Sequence, residues 1–479
     1  MFKTVVGVLT LAALASGPYL QIEQLEQARL LGNGRLAVLL SSGDRQVALR
    51  AALAIGRTKQ AAGLPLLARR VRDADPAMRA LAVYGIGLIG GSSAAGPVLD
   101  ALHDSADAVR VSALDATYRL AFAHVFTPAQ SARAFAGCRE SISAPNPIVR
   151  ARAATALSAF ESAAERRAAA ALLVRRFGGE RDAFVRWHVM WSIYRAYAGD
   201  VPLSTLMAGL RDRDETVRIE SVRAVARRGR RADAKLLAGS MRDASWRVAE
   251  QAIEAVTVLN GGTPTDHLKT IPSGVRTPAP QPDRFAAVRA LPRKTAGKPA
   301  APLAQNALYA PTLDPSTAEL FTGPARGLHP RVRIVTSAGN IYVRLYPEWA
   351  PLTVENFLNL ANAGYYDNNP WFRIVPDFVV QSGDPSADAP GPGYTIPAEE
   401  NPVEQDSYVI SMGLDYTNPP NAHAKRDSAG SEFYITLSPQ LHLNSDFTVF
   451  GRVFSGVDVL GRLVESDRIL RVERLPDAD

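Results

Sequence analysis

Residues 371–384 read WFRIVPDFVVQSGD, and this stretch decides the fold of the last third of the chain. It lies in a region, starting at Arg331, where hydrophobic residues recur at every second position. Two such runs, Val332 to Val335 and Ile341 to Leu345, flank a turn-rich segment and predict a β-hairpin. A short amphipathic helix is predicted next, with Thr353 as its N-cap.

The stretch at 371–384 resembles the signature strand of the cyclophilins, and five other segments resemble the same family in the same order. They are APLTVENF at 350–357, GPGY at 391–394, SMG at 411–413, AGSEFYI at 429–435 and TVFG at 448–451. The resemblance implies a cyclophilin-like domain over residues 331–475. It also implies a closed eight-stranded antiparallel β-barrel capped by two helices, an architecture that leaves no strand edge exposed.

The resemblance further implies a peptidyl-prolyl cis-trans isomerase and assigns roles to particular residues. Arg373 is implied to be catalytic, and Gln381 to help hold both the substrate backbone and the arginine. The implied substrate-binding residues are Phe378, Val379, Tyr434, Leu443 and Phe447 in the walls of a proline pocket, Gly413 and Leu414 along the substrate main chain, and His442, where many eukaryotic members have tryptophan. Proline-containing peptides or protein clients are the implied partners.

These residue types suit the reaction physically. Rotation about an X–Pro amide is slow because the C–N bond has partial double-bond character, with a barrier of about 18–20 kcal/mol. No covalent bond breaks, so the reaction needs no nucleophile, metal or cofactor. A guanidinium that donates to the prolyl nitrogen in the transition state weakens amide resonance, and arginine keeps its charge throughout.

Other interpretations of the same residues remain open. Arg373 could merely bridge strands, Phe378 could belong to the core, and the domain could be a non-catalytic scaffold that binds proline segments. Several positions depart from the family pattern: valine replaces methionine at 379, leucine replaces asparagine at 414, glutamate replaces glutamine at 432, tyrosine replaces phenylalanine at 434, and phenylalanine replaces histidine at 447. These changes bear on substrate preference and cyclosporin binding more than on activity.

Residues 16–263 contain a repeated phrase in which an acid or amide precedes an apolar residue, an arginine and an alanine- or leucine-rich run. Its clearest copies are Asp75 to Arg79, Asn146 to Arg150, Asp182 to Arg186, Asp214 to Arg218 and Asp243 to Arg247. Counting looser copies, the phrase recurs every 29 to 40 residues. It resembles HEAT-type repeats and predicts an all-α solenoid, whose usual use is to bind a protein partner. The acids and arginines are interpreted first as structural links.

Charge is divided unevenly along the chain. Residues 1–263 hold 35 lysines and arginines against 23 aspartates and glutamates, whereas residues 331–479 hold 11 against 20. A basic array favours acidic partners, such as an acidic protein face or an anionic polymer. Binding to an anionic polymer would weaken steeply as the salt concentration rises. The run Arg227 to Arg231 is the densest basic segment, and it is interpreted first as a solvated turn between helices. Nucleic acid is not expected if the protein is exported.

Export is predicted from the first fifteen residues. Lys3 precedes an uncharged, mostly apolar run from Val5 to Ala15 that ends in Ala-Leu-Ala, the pattern of a signal peptide. The predicted location is periplasmic or extracellular, and the run is too short to span a bilayer. The alternative is that this segment forms the first helix of the array.

The remaining composition predicts a linker and no metal site. Twelve prolines fall within residues 264–330, where proline prevents any long helix, so an extended connector is expected. Cys138 is the only cysteine and therefore cannot form an intrachain disulfide. Seven scattered histidines show no metal-ligand spacing, so neither metal nor cofactor is expected.

Overall fold

A computed structural model describes residues 17–262, 329–375, 377–384, 391–416, 424–444 and 446–476. The chain divides into two compact units, Met1–Arg57 with Pro280–Asp479, and Thr58–Ala279. The predicted signal peptide and all but the last two residues of the predicted connector lie outside the described residues. Among the helices of the described part, none combines the length and apolar character needed to cross a membrane.

The helices of the amino-terminal half are short and regular. The α-helices are α1 Pro18–Gln27, α2 Arg35–Leu40, α3 Arg45–Thr58, α4 Leu64–Ala68, α5 Pro76–Ile89, α6 Ala95–Ala101, α7 Asp107–Phe122, α8 Pro128–Ser141, α9 Pro147–Leu157, α10 Ala163–Gly179, α11 Ala183–Ser192, α12 Leu203–Gly209, α13 Glu215–Arg227 and α14 Trp246–Leu259. Short 3₁₀ or π segments lie between some of them, at Ala61–Gly63, Ser92–Ala94, Ile193–Tyr197, Arg231–Leu237 and Ser240–Arg242.

In four of the five clearest copies of the repeated phrase, the acid or amide caps a helix, as predicted; Asp243 does not, because the N-cap of α14 is Ser245. The Asp182 carboxylate accepts hydrogen bonds from the backbone N–H groups of Phe184 and Val185, at 2.9 and 3.3 Å. Asp75, Asn146 and Asp214 likewise accept from the first turns of α5, α9 and α13. A capping acceptor satisfies N–H groups that have no partner within the helix, and so fixes where each helix begins.

The arginines of the phrase join neighbouring repeats. Arg186 donates through Nε and Nη2 to the two oxygens of Asp212, at 2.7 and 2.9 Å. The same two-pronged contact recurs in Arg79–Asp104, Arg150–Glu180 and Arg218–Asp243. In each case the guanidinium reaches about one repeat onward along the chain. The structure thus accounts for these arginines as links between repeats.

Loss of one cap is expected to destabilise the helical unit measurably. Asp182→Ala removes the acceptor of two N–H groups and is expected to lower the free energy of unfolding by about 1 kcal/mol. Asp100→Ala is the control, because the ion pair of Asp100 with Arg133 is exposed and contributes about 0.5 kcal/mol or less. Chemical unfolding of the full chain, followed by helical circular dichroism, measures both. Equal effects of the two variants would contradict the capping role.

The carboxy-terminal domain is an antiparallel sheet with two helices. Its strands are β1 Arg331–Thr336, β2 Gly339–Leu345, β3 Arg373–Val375, β4 Val379–Ser382, β5 Val409–Met412, β6 Phe433–Thr436, β7 Val449–Ser455 and β8 Ile469–Arg474. They are hydrogen-bonded in the order β3-β4-β6-β5-β7-β2-β1-β8. The helices are α15 Pro351–Asn362 and α16 Val457–Leu460, and a 3₁₀ turn lies at Leu441–Leu443. The predicted hairpin is β1–β2, turning between Thr336 and Gly339.

The prediction of a closed barrel is wrong: the sheet is an open half-barrel with β3 and β8 at its edges. Between these edges, the described residues form one isolated bridge, Pro370 with Arg468, with three backbone hydrogen bonds beside it that join residues 368–371 to 467–469, rather than a ladder of β3 with β8. Proline has no N–H to donate, and β3 is only three residues long, so a continuous ladder between β3 and β8 does not form. The eight strands therefore form an open sheet instead of a closed barrel.

The core of this domain lies between the sheet and α15. Phe357, on the buried face of α15, packs against Phe433 and Phe450 with ring centroids 5.7 and 5.3 Å apart. Trp371 is fully buried and meets Phe433 edge to face. Burying large aromatic side chains supplies much of the apolar contact that stabilises a domain. The stretch 371–384 is thus anchored at its first residue.

The start of α15 differs from the sequence prediction. The N-cap position is Ala350, and Thr353 lies within the first turn. Glu399 accepts instead, from the N–H groups of Leu352 and Thr353 at 3.2 and 2.8 Å and from the Thr353 hydroxyl at 2.7 Å. A carboxylate distant in sequence therefore replaces the expected local cap.

A buried ionic cluster joins helices α1 and α3 to the sheet domain within the first unit. Arg57, fully buried, donates to the Glu26 carboxylate at 2.6 Å and to the backbone oxygen of Glu400 at 2.6 Å. It also donates to the backbone oxygens of Trp349 and Glu399. Arg50 pairs with Glu23 and Glu26 beside it. Residues 18–57 are therefore part of the same compact unit as the carboxy-terminal domain.

Candidate active site

Strand register places the polar residues of the site in one row across the sheet. Arg373 on β3 lies directly opposite Gln381 on β4, Gln381 lies opposite Tyr434 on β6, and Tyr434 lies opposite Ser411 on β5. Directly opposed residues of antiparallel strands project from the same face. The register of these four strands thus carries the site residues to a common surface.

Four hydrophobic side chains form a separate small cluster on this surface. Val379, Tyr434, Leu443 and Phe447 are each less than 9% exposed and pack together. The rings of Tyr434 and Phe447 meet edge to face at 5.7 Å. An apolar slot of this kind suits a prolyl ring, which carries no N–H to satisfy.

Arg373 lies at the exposed side of this slot. Its guanidinium is 5.3 Å from the centre of the Phe378 ring, and its Nη1 donates to Gln381 Oε1 at 3.1 Å. Phe378 in turn stacks on His442, with ring centroids 5.7 Å apart and planes inclined by 16°. Contact with an aromatic face and an amide oxygen restricts the direction in which the guanidinium points.

The chain between β3 and β4 turns sharply just before Phe378. Asp377 has a φ of 55°, in the left-handed region, and its backbone oxygen accepts from the side chains of Ser438 and Gln440. The Phe378 N–H donates to Val375 and its oxygen accepts from Leu437. These contacts fix the aromatic ring on which Arg373 rests.

All ten residues assigned from the resemblance line a single cavity of about 480 Å³. They are Arg373, Phe378, Val379, Gln381, Gly413, Leu414, Tyr434, His442, Leu443 and Phe447. Two further residues, Tyr416 and Glu432, complete the lining. Glu432 is one of the positions that depart from the family pattern, whereas nothing in the local sequence around Tyr416 indicates that it lies in the cavity.

Glu432 is the carboxylate of the cavity, and its Oε1 accepts a hydrogen bond from Gln381 Nε2. Burial raises the pKa of Glu432 to about 7, and the acids Asp384 and Asp415 act in the same direction. The hydrogen bond from Gln381 and the charge of Arg373 oppose the shift. The charge of the cavity therefore changes near neutral pH.

A buried glutamine that sequence analysis missed supports the apolar wall. Gln405 is fully buried, and its side chain donates to the backbone oxygen of Phe447 at 3.4 Å. Its N–H donates to the Asn444 side chain at 2.8 Å, and its backbone oxygen accepts from the Gln440 N–H at 2.6 Å. The loop carrying Leu443 and Phe447 is tied down through these bonds. Only the tertiary contacts reveal this role.

The described part of the chain lacks the ligand sets that metal ions require. No group of three or more histidine, cysteine, aspartate or glutamate side chains there could hold a metal ion. Cys138 is buried, and burial raises the pKa of its thiol to about 12, so it is not a reactive thiolate.

Comparison with known proteins identifies both parts of the chain. A family model described as cyclophilin type peptidyl-prolyl cis-trans isomerase matches residues 331–474, and one for HEAT repeats matches residues 33–118. Both resemblances seen in the sequence are thereby confirmed.

Individual relatives share the carboxy-terminal region. Peptidyl-prolyl cis-trans isomerase B of Bacillus subtilis is 41% identical over 145 residues, which are 29% of this chain and 95% of the relative. Peptidyl-prolyl cis-trans isomerase ppi1 of Schizosaccharomyces pombe is 40% identical over 28% of this chain and 83% of its own. A peptidyl-prolyl cis-trans isomerase of Synechococcus elongatus is 36% identical over 30% and 94%. The chain therefore belongs to the cyclophilin-type peptidyl-prolyl cis-trans isomerases, through a domain at residues 331–474 that follows a HEAT-repeat region.

Proposed function

We propose that this domain accelerates the cis–trans isomerisation of X–Pro bonds in client proteins, with Arg373 as the catalytic group. The observation that carries the proposal is a guanidinium at the exposed side of a cavity whose opposite wall is buried and apolar. The prolyl ring occupies the slot, and the chain beyond it rotates. Arg373 donates to the prolyl nitrogen as that nitrogen becomes pyramidal, an interaction that strengthens toward the transition state.

The other lining residues bind and orient the substrate. Gln381 holds Arg373 through the 3.1 Å hydrogen bond to its Oε1, while its Nε2 donates to Glu432. A substrate backbone oxygen that approaches Gln381 therefore takes the place of Glu432 at Nε2. Gly413 and Leu414 follow β5 directly, where a peptide can lie along the strand end. Phe378 and His442 form the stacked rim beside the guanidinium. Each group acts by position, so no proton transfer is required of any of them.

Catalysis and mere binding are distinguished by turnover. Full-length protein at a hundredth of the concentration of a short Ala-Pro peptide is expected to accelerate its cis–trans exchange, measured by NMR exchange spectroscopy. A non-catalytic scaffold would instead shift peptide resonances at stoichiometric protein without changing the exchange rate. That second result would contradict the proposal and favour the scaffold.

The HEAT-repeat region is proposed to recruit clients or an assembly partner of the isomerase. Its support is the repeat architecture itself, which presents extended surfaces, and the excess of basic residues in the first 263 positions. Photocrosslinking from surface positions of residues 58–262 in the full chain is expected to capture a protein. Capture of an anionic polymer instead, with steep salt dependence, would favour the alternative partner.

Export to the periplasm or the extracellular space also remains a proposal. It is supported by Lys3 and the apolar run that follows it. Amino-terminal sequencing of the native protein decides the point, because export predicts a mature protein that begins near Ser16. Recovery of protein beginning at Met1 from the cytoplasm would contradict it.

A further inference from the structure

The proposed isomerase site contains a carboxylate for which the mechanism has no use. Glu432 lines the cavity next to β5, and its backbone oxygen accepts from the Gly413 N–H at 2.8 Å. Its side chain lies directly over Gly413, because a Cβ built on that glycine would come within 2.5 Å of Glu432 Oε1. The carboxylate therefore lies between Gln381 and the strand end along which a peptide is proposed to run.

The surroundings of this carboxylate are mostly acidic. Asp384, 5% exposed, follows β4 and accepts hydrogen bonds from Tyr365 and Ser431. Asp415 follows β5, and Tyr416 beside it lines the cavity. Arg373 is the one lysine or arginine among the described residues of the lining, and it already contacts Gln381 and Phe378.

An incoming cation would meet an electrostatic environment that favours it. Two carboxylates near Glu432 add to its attraction for positive charge, and partial burial weakens solvent screening. Complementary charges of this kind affect specificity more than raw affinity. A neutral side chain of similar length would gain only the apolar contacts.

We infer that Glu432 determines specificity in the proposed isomerase, by selecting client segments that carry a lysine or arginine within two residues of the proline. The cationic side chain pairs with the Glu432 carboxylate while the prolyl ring occupies the apolar slot. This inference rests on the proposed function, because it places the substrate in the same cavity.

The pairing should depend on pH in a definite direction. Burial raises the pKa of Glu432 to about 7, so the carboxyl is largely neutral at pH 6 and largely ionised at pH 8. A lysine keeps its charge over this range. The preference for a cationic peptide therefore appears as pH rises from 6 to 8.

The test compares peptides within each protein variant. Proline-containing peptides with lysine or norleucine at each of the two positions before and the two positions after the proline are assayed by NMR exchange with full-length wild type and Glu432→Gln. At one position or more, wild type is expected to show a lysine-to-norleucine ratio of kcat/KM of about ten at pH 8 and low salt. The ratio is expected to fall toward about two at pH 6, and Glu432→Gln should hold it near one at both pH values.

Two results would overturn the inference: a wild-type ratio near one at pH 8 at every position, or a preference that persists in Glu432→Gln. The wild-type pH dependence alone decides if the variant does not fold. If no peptide is turned over, the proposed function fails first, and the ratio of binding affinities for the same peptides then tests the pairing separately.

Discussion

Arg373→Ala is expected to lower kcat/KM for an X–Pro peptide by about 10²–10³-fold, the usual cost of removing a donor aimed at a transition state. The reason is geometric: the guanidinium is held at the edge of the cavity by Gln381 and by the Phe378 ring. Because the proposed hydrogen bond forms fully only as the prolyl nitrogen becomes pyramidal, kcat should fall more than KM rises.

Two companion variants make this measurement specific. Arg373→Lys keeps the charge but loses the planar fork of donors, so an intermediate rate is expected. Arg344→Ala removes an exposed arginine from β2, outside the cavity lining, and should leave the rate near wild type. Exchange spectroscopy on one Ala-Pro peptide serves all three. If Arg373→Ala matches Arg344→Ala, the catalytic role of Arg373 is wrong.

Arg57→Ala should destabilise the unit that contains the isomerase domain by about 3–5 kcal/mol, the range for removing one partner of a buried ion pair. Arg57 is fully buried and joins α3 to the Glu26 carboxylate and to backbone oxygens at Trp349, Glu399 and Glu400. The variant leaves Glu26 and these backbone oxygens buried with fewer donors. The cost lies mainly in these uncompensated groups rather than in lost packing.

The deficit should also depend on pH. Burial alone would raise the pKa of Glu26, but Arg50 and Arg57 lower it to about 2. A carboxyl whose folded pKa is depressed stabilises the fold above its ordinary pKa, and this contribution is lost as pH falls toward 2. The difference between wild type and Arg57→Ala is therefore largest near neutrality and shrinks below about pH 4.5.

Differential scanning calorimetry of the full chain between pH 3 and pH 7 follows the stability, with hydrogen exchange in α1 and α15 as the local readout. Arg45→Ala is the matched control, since Arg45 lies exposed in the same helix α3. Indistinguishable transitions for Arg57→Ala and Arg45→Ala would show that the buried cluster does not stabilise this unit.

Much of the site was predictable because it depends on short-range pattern. The family motif at 371–384 indicates β3 and β4, and a tight connection between them leaves only one antiparallel register. That register sets Arg373 against Gln381, so two residues eight positions apart become neighbours. The roles of the repeated Asp and Arg residues in the helical region could also be predicted. Capping acts within one helical turn, and the arginine contacts between repeats return once in each repeat.

Other features depended on contacts between distant segments, which no local pattern encodes. The edge between β3 and β8 stays open because Pro370 cannot extend a ladder and β3 is short. The structural role of Gln405 follows from its hydrogen bond to the backbone of Phe447, a residue distant in sequence. Glu432 was visible as a substitution, yet its raised pKa arises from burial and from acids on neighbouring strands.

The sequence by itself determined the helical repeat and the alternating hairpin, since periodicity is a property of neighbouring residues. Its short motifs also indicated the family of the last third and, through that resemblance, ten of the twelve residues that line the cavity. Only the tertiary structure decided that Glu399 rather than Thr353 caps α15, and that Arg57 is buried against the isomerase domain. Buried charges and N–H groups must find partners wherever the fold supplies them, and those partners are as much as 343 residues away.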